Sequence, residues 1–226
     1  MKFSPTMLVF VGLLAAAGCF FAAAKEDNSS EVNALLERTG RSCQNGDTSE
    51  ALKCYRAAVQ LENTQSVRRR FAEIFYASAE ALRLSTKPEL DASLANLEAT
   101  YNKATKRIHS MVQGADYDKL NSKDPAFLAA LDKHHDLVKR ISVCFPFYDA
   151  AEENFAAIQR LAPQGKDFDA AARQPMCLIY KSDIATRAKA RLLLVAFLKN
   201  YKPSTPAEES LYDKCQKELD KRDQSL

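Results

Sequence analysis

Along most of the chain apolar residues recur at alternating steps of three and four, the spacing that lines one face of an α-helix. The plainest stripe is Leu90, Leu94, Leu97, Tyr101, Ala104, Ile108 and Met111, and a second follows with Phe127, Leu131, His134, Val138, Ile141 and Phe145. Both read as heptad seams. The short segment from Gly114 to Asp124 joins them, so the pattern predicts an antiparallel hairpin, its seams facing each other at a crossing angle of about 20°. Pro88 suits the first turn of the earlier helix, and Asp124 followed by Pro125 reads as the N-cap and first residue of the later one.

Two further stripes, Phe71, Ile74, Phe75, Ser78, Leu82 and Tyr148, Ala151, Phe155, Ile158, Leu161, mark amphipathic helices that need partners. The run Leu192 to Leu198 has no polar side, which predicts a helix covered on most faces at the centre of the bundle. Taken together the periodicity predicts helices over 30–42, 48–62, 66–84, 88–112, 125–144, 147–162, 178–200 and 206–222, with prolines where the pattern stops or restarts. The stretch from Pro163 to Pro175 reads as the most loop-like part, with room for one short helical turn. No strand is predicted. The expected fold is all-α, an elongated bundle of about seven to eight helices with a heptad-packed antiparallel hairpin, stapled by disulfides.

The first 24 residues carry different information. Lys2, an apolar run from Met7 and the small tripeptide Ala22-Ala23-Ala24 form a secretory leader with cleavage before Lys25, leaving 25–226 as a single helical domain. Two alternatives stay open: Met7 to Ala24, uncharged throughout, is at the lower edge of spanning length and could remain as an anchor. Ala16-Ala17-Gly18-Cys19 could instead place a lipid on Cys19. Asn28-Ser29-Ser30 is a glycosylation sequon just past the cut.

Export would let disulfides persist, and Cys43, Cys54, Cys144, Cys177 and Cys215 remain after cleavage. Connectivity is open from sequence. The expected pairs are Cys43 with Cys54, across a short helical hairpin, and Cys144 with Cys177, leaving Cys215 free or available to a second subunit. No close Cys pair gives a zinc pattern.

Composition narrows the partners. Lys and Arg number 32 against 29 Asp and Glu, a formal +3 that becomes +2 (31 against 29) if Lys2 leaves with the leader. That balance argues for neither nucleic acid nor an anionic membrane as partner. In the segment Asn45 to Ala58, Ala51 and Tyr55 have the Ala-x3-aromatic spacing and Ala58 supplies the next small residue. It resembles the second half of a tetratricopeptide repeat, a family whose helix pairs stack into peptide-binding solenoids. The likeness covers about 30 residues, has Asn63 where the closing proline belongs, and does not recur one repeat length on, at Ser85 and Glu89. It implies a helical hairpin here and assigns no binding residue.

Candidate chemistry is sparse. The histidines are His109, His134 and His135; adjacent ones point about 100° apart on a helix, and His134 lies in the seam, so a hydrogen-bonded core histidine is expected rather than a metal ligand. No serine elbow, Cys-His pair or phosphate loop is present, and a glycine-poor chain offers few backbone cradles. The pairs Glu152-Glu153 and Glu208-Glu209 read as solvated helix faces, the latter near a helix start where negative charge is favoured. Arg68-Arg69-Arg70, Lys106-Arg107, Lys139-Arg140 and Lys221-Arg222 likewise read as solvated surface rather than processing sites. The expected function is a secreted, non-enzymatic helical protein, without cofactor or metal, that engages an extracellular macromolecule. The alternative is a carrier of a lipid or other hydrophobe between its helices.

Overall fold

The computed structural model describes residues 29–111, 124–162, 166–180 and 183–223, with side chains for all but 107–111 and 222–223. The leader, Cys19, Asn28 and the Gly114–Lys123 connection lie outside the described residues, as do the side chains of His109, Ile108 and Met111. Every regular element within them is helical: α1 (29–44), α2 (Thr48–Leu61), α3 (Gln65–Met111), α4 (Pro125–Ser142), α5 (Phe145–Leu161), α6 (Phe168–Ile179), α7 (Ile184–Asn200) and α8 (Pro206–Asp223).

Local chemistry sets most of the boundaries. Gly46 adopts φ 72°, where a side chain would be strained, and so permits the tight turn between α1 and α2. Asp47 then caps α2 by accepting from the Glu50 amide. Ala51, Tyr55 and Ala58, the repeat-like positions, all face the core. Asp124 accepts from the amides of Ala126 and Phe127 with Pro125 in the first turn, as the sequence predicts. At the start of α8 Thr205 and Glu208 form a capping box: the Thr205 hydroxyl accepts from the Glu208 amide and the Glu208 carboxylate from the Thr205 amide.

The 47-residue α3 is the axis of the molecule, about 70 Å long at 1.5 Å per residue. Its N-terminal half packs on α5, with Phe75 stacked on Phe147 and Tyr76 edge-on to Phe155. Its C-terminal half packs on α4, with Arg140 paired to Glu89 at 3.1 Å and the Tyr101 and Phe127 rings 5.8 Å apart. Rising numbers on α3 meet falling numbers on α4, so the hairpin is antiparallel, as expected. After α5 the helices stack in chain order, α6 on α5 and α7 on α6, with α8 against both α6 and α7. A contiguous core joins α1, α2, the first half of α3 and α5 to α8. Fully buried alanines (Ala51, Ala58, Ala72, Ala79, Ala151, Ala170, Ala172, Ala190) let these helices approach closely. The α3–α4 hairpin projects from this body as an arm with a thin interior of Ala104, Ala130 and Leu137, none of them part of the main core.

Four expectations fail here. Pro88 does not begin a helix; it sits inside α3. Proline removes one backbone donor, but packing on both sides, against α5 before it and α4 after it, offsets a cost of about 3 kcal/mol. Second, the stretch read as loop-like is helical from Phe168 onward: α6 carries Pro175 within it and runs to Ile179, into the span predicted for the next helix, which itself starts only at Ile184. Third, α7 is not central. Only Ala190, Leu194 and Phe197 of it are buried, because α6 and α8 cover one side alone.

The fourth concerns the cysteines. All five described thiols are free and buried, so neither Cys43–Cys54 nor Cys144–Cys177 is a disulfide. Helical packing places each at a separate contact: Cys54 donates to Glu50 of its own helix at 3.3 Å, and Cys215 donates to the Ala172 carbonyl at 3.7 Å. With Cys215 fully buried, a bridge to a second subunit would require α8 to lift away.

One side chain ties the α6 start to the rest. Asp167 caps α6 by accepting from the Ala170 amide at 3.0 Å, pairs with Arg69 and accepts from Gln65 at 3.1 Å. Losing a cap costs about 1 kcal/mol and losing charged hydrogen bonds roughly 1.5–3 more. Asp167→Ala should therefore lower the unfolding free energy by about 2–4 kcal/mol in urea titration, and Asp167→Asn, which keeps the cap, by about half that. Equal losses for the two would show that the cap contributes nothing.

Candidate interaction surfaces

The arm does not bury its stripes as two facing seams. On α3 Thr86, Ser93 and Ala104 are buried while Leu94 is exposed; on α4 Ala130 and Leu137 are buried while Val138 is exposed. Steps of about 100° per residue explain it. Each apolar stripe is wider than one helix–helix contact, so its inner edge meets the partner and its outer edge faces solvent. In an antiparallel pair the outer edges fall on the same side. Leu94 and Val138 thus flank one face of the arm, together with a cleft of about 300 Å³ lined by Leu97, Glu98, Tyr101, Asn102 and Phe127.

The other side of the arm is polar, with a second cleft of about 300 Å³ lined by Glu89, Ala92, Ser93, Asn96 and Lys133. The Ser93 hydroxyl and His134 Nδ1 are buried without a hydrogen-bond partner. His134 is therefore half-buried in the seam as placed by the sequence, but not satisfied as expected.

Within the body the titratable clusters satisfy one another. Arg68, read from sequence as solvated, is buried: it donates to the Tyr55 hydroxyl at 2.6 Å, to Asn63 at 2.8 Å and to Asn154 at 3.3 Å, with Glu153 at 3.4 Å. Tyr55 in turn donates to Glu153 at 2.8 Å, and burial with that carboxylate raises its phenol above the ordinary range. Arg69 is bound to Asp167 and Asp169, and Arg70 to Asn33. Of the acidic pair, Glu152 bridges Gln174 at 2.9 Å and Lys189 at 3.1 Å, so it too is structural rather than solvated.

A second network joins α3, α5 and α6. Tyr148 donates to Glu80, Arg83 donates to Glu80 at 2.9 Å and to Tyr148 at 3.1 Å, and the Arg83 guanidinium lies 4.0 Å above the Tyr180 ring. Burial alone would raise the Glu80 carboxyl, but the hydrogen bonds from Arg83 and Tyr148 outweigh it and hold the group below its usual value. The same burial, with the carboxylate alongside, drives the Tyr148 phenol far up. Each charge has its partner. The cluster clamps three helices and offers no unengaged acid or base.

The third surface lies on α7. Ile184 is 80% and Leu192 72% exposed, with Val195 beside them. Ala185, Ala188 and Ala196 are exposed in the same sector, opposite the buried Ala190, Leu194 and Phe197. The sequence marks Leu192 to Leu198 of this helix as a run without a polar side. What it could not show is that one side has no neighbour.

Among the described residues no three or more of His, Cys, Asp and Glu gather where they could hold a metal ion, and no helix is long and apolar enough to cross a membrane. No protein-family model, curated protein or solved structure matches the chain.

Proposed function

We propose that the chain is an exported, non-enzymatic helical protein that engages an extracellular macromolecular partner through its arm. The observation that carries the reading is the apolar edge left uncovered on one face of the arm, Leu94 and Val138 beside the Leu97–Tyr101–Phe127 cleft. Isolated surface leucines are ordinary, but an apolar edge beside a cleft on a projecting element suits a contact. Export rests on the leader alone, since the buried thiols lend it no support. The mutual pairing of the buried acids, arginines and tyrosines speaks for a scaffold rather than a reaction centre.

The test is capture from the extracellular fluid of the producing cells with the wild-type protein and with Leu94→Glu/Val138→Glu. Both positions are exposed, so the double variant should keep the wild-type circular dichroism and melting curve. The expected result is one macromolecule enriched by the wild type and reduced at least tenfold with the variant. Background proteins alone, or equal capture by both, would remove the reading.

A second reading, carriage of a small hydrophobe, draws on the same cleft, whose volume is at the lower end for ligand sites. Mass spectrometry of an organic extract of the purified protein would return a stoichiometric apolar compound if it holds.

A further inference from the structure

We propose that the outer face of α7 is a docking surface for an anionic lipid bilayer. This inference is independent of the arm. The chain as a whole is close to neutral, yet its charges are not evenly spread: α7 carries Arg187, Lys189, Arg191 and Lys199 and not a single Asp or Glu. The same helix bears the two most exposed large aliphatic side chains among the described residues, Ile184 and Leu192.

The arrangement is that of an interfacial helix. Ile184, Ala188, Leu192 and Val195 run along one line for about 17 Å, at 1.5 Å per residue. About 100° per residue sets Arg187 and Arg191 along one edge of that line, Lys189 along the other, and Lys199 at its C-terminal end. Lys189 also reaches Glu152 at 3.1 Å, which holds that edge to the body. Because α6 and α8 contact only the inner side, the apolar line stands out as a convex ridge rather than lining a groove. A ridge can sink its aliphatic tips into the acyl boundary while Arg187 and Lys199 extend to lipid phosphates and carboxylates.

Charge also selects among occupants. A second copy seated on this face would set Arg187 and Lys199 of one α7 against those of the other, while the nearby acids are already engaged, Glu152 by Lys189 and Asp183 as the α7 cap. An anionic surface meets no such repulsion.

The test uses the full chain with Ile184→Cys, labelled at the new thiol with an environment-sensitive fluorophore. The five described native cysteines are buried, and with Cys19→Ser in every protein of the set, the chain without an added cysteine serves as the unlabelled control. Ser210→Cys, on an exposed position of α8, serves as the control site. With vesicles containing 30 mol% phosphatidylserine, to order of magnitude the surface charge of a cytoplasmic leaflet, the label at 184 should blue-shift and brighten several-fold, and the label at 210 should not. Each cation near an anionic surface contributes roughly fivefold in affinity. Adding Arg187→Gln/Lys199→Gln should therefore weaken the response about tenfold or more. No change at 184 would overturn the proposal and leave the face to an acidic protein. An equal response to pure phosphatidylcholine vesicles would overturn the anionic requirement, and a response that grows with protein concentration without vesicles would reassign the face to a second copy. Because the readout is local to α7, a leader that itself binds lipid does not produce the expected difference between 184 and 210.

Discussion

Phe75→Ala should lower the unfolding free energy by about 3–5 kcal/mol, the range for removing a fully buried aromatic side chain. Phe75 sits where α2, α3 and α5 meet, edge-on to Tyr55 at 5.5 Å, stacked with Phe71 at 6.2 Å and with Phe147 at 6.0 Å. Its ring neighbours resist collapsing into the space, since Tyr55, Phe71 and Phe147 are themselves buried and Tyr55 is pinned by Arg68 and Glu153. Against a total of about 5–15 kcal/mol for an ordinary domain, this is a large share. Urea unfolding followed by far-ultraviolet circular dichroism should show an earlier midpoint with the slope unchanged. Leu94→Ala on the arm should by contrast shift stability by about 0.5 kcal/mol or less, as exposed positions do. If the two variants were equally mild, the aromatic cluster would not be the centre of the core.

Stability should also fall steeply above pH 9. Burial pushes the thiols of Cys43 and Cys144 up to about 11 and that of Cys215 up to about 12, from an ordinary value of 9.0, and raises that of Cys177 as well. In the unfolded chain these thiols ionise near pH 9, whereas in the folded protein they hold their protons to pH 11 or beyond. Between those limits the unfolded state binds fewer protons, so rising pH favours it. The contribution is complete below about pH 8 and is lost progressively as pH approaches 11 to 12. A two-unit shift limits Cys43 and Cys144 to about 2.7 kcal/mol each. Several acting together would cost several kcal/mol, with the raised phenols of Tyr55, Tyr76 and Tyr148 adding to the slope above pH 10. Urea midpoints at pH 7, 9 and 10.5 measure it, and Cys144→Ala should flatten the profile in part. A midpoint that does not move between pH 9 and 10.5 would mean the thiols are open to water. The expected fall would distinguish the protein from a disulfide-bonded one, which has no thiol to ionise.

The residues that were misread share a physical cause. Arg68 looks like solvated surface because a charge cluster on an amphipathic helix usually is; it is buried because Tyr55, Asn63 and Asn154 come from three separate places to meet its guanidinium. The Cys43–Cys54 bridge is expected from how close a hairpin could bring the two thiols, but which face of each helix turns inward depends on every helix it packs against. Leu94 and Val138 satisfy a heptad in sequence, yet each stripe is wider than one helix–helix contact, and that contact is centred one residue back, on Ser93 and Leu137.

By itself the sequence determined the helical class, most of the helix boundaries, the capping residue Asp124 and the antiparallel hairpin, because periodicity and end chemistry are properties of short stretches of chain. Only the tertiary structure decided that Pro88 lies within a continuous α3, that the thiols stand apart, that Arg68 is locked inside, and that α7 keeps an open apolar side. Each of those depends on which neighbours are present or absent across space, and a helix with apolar residues all round carries no mark of the side on which a neighbour is missing.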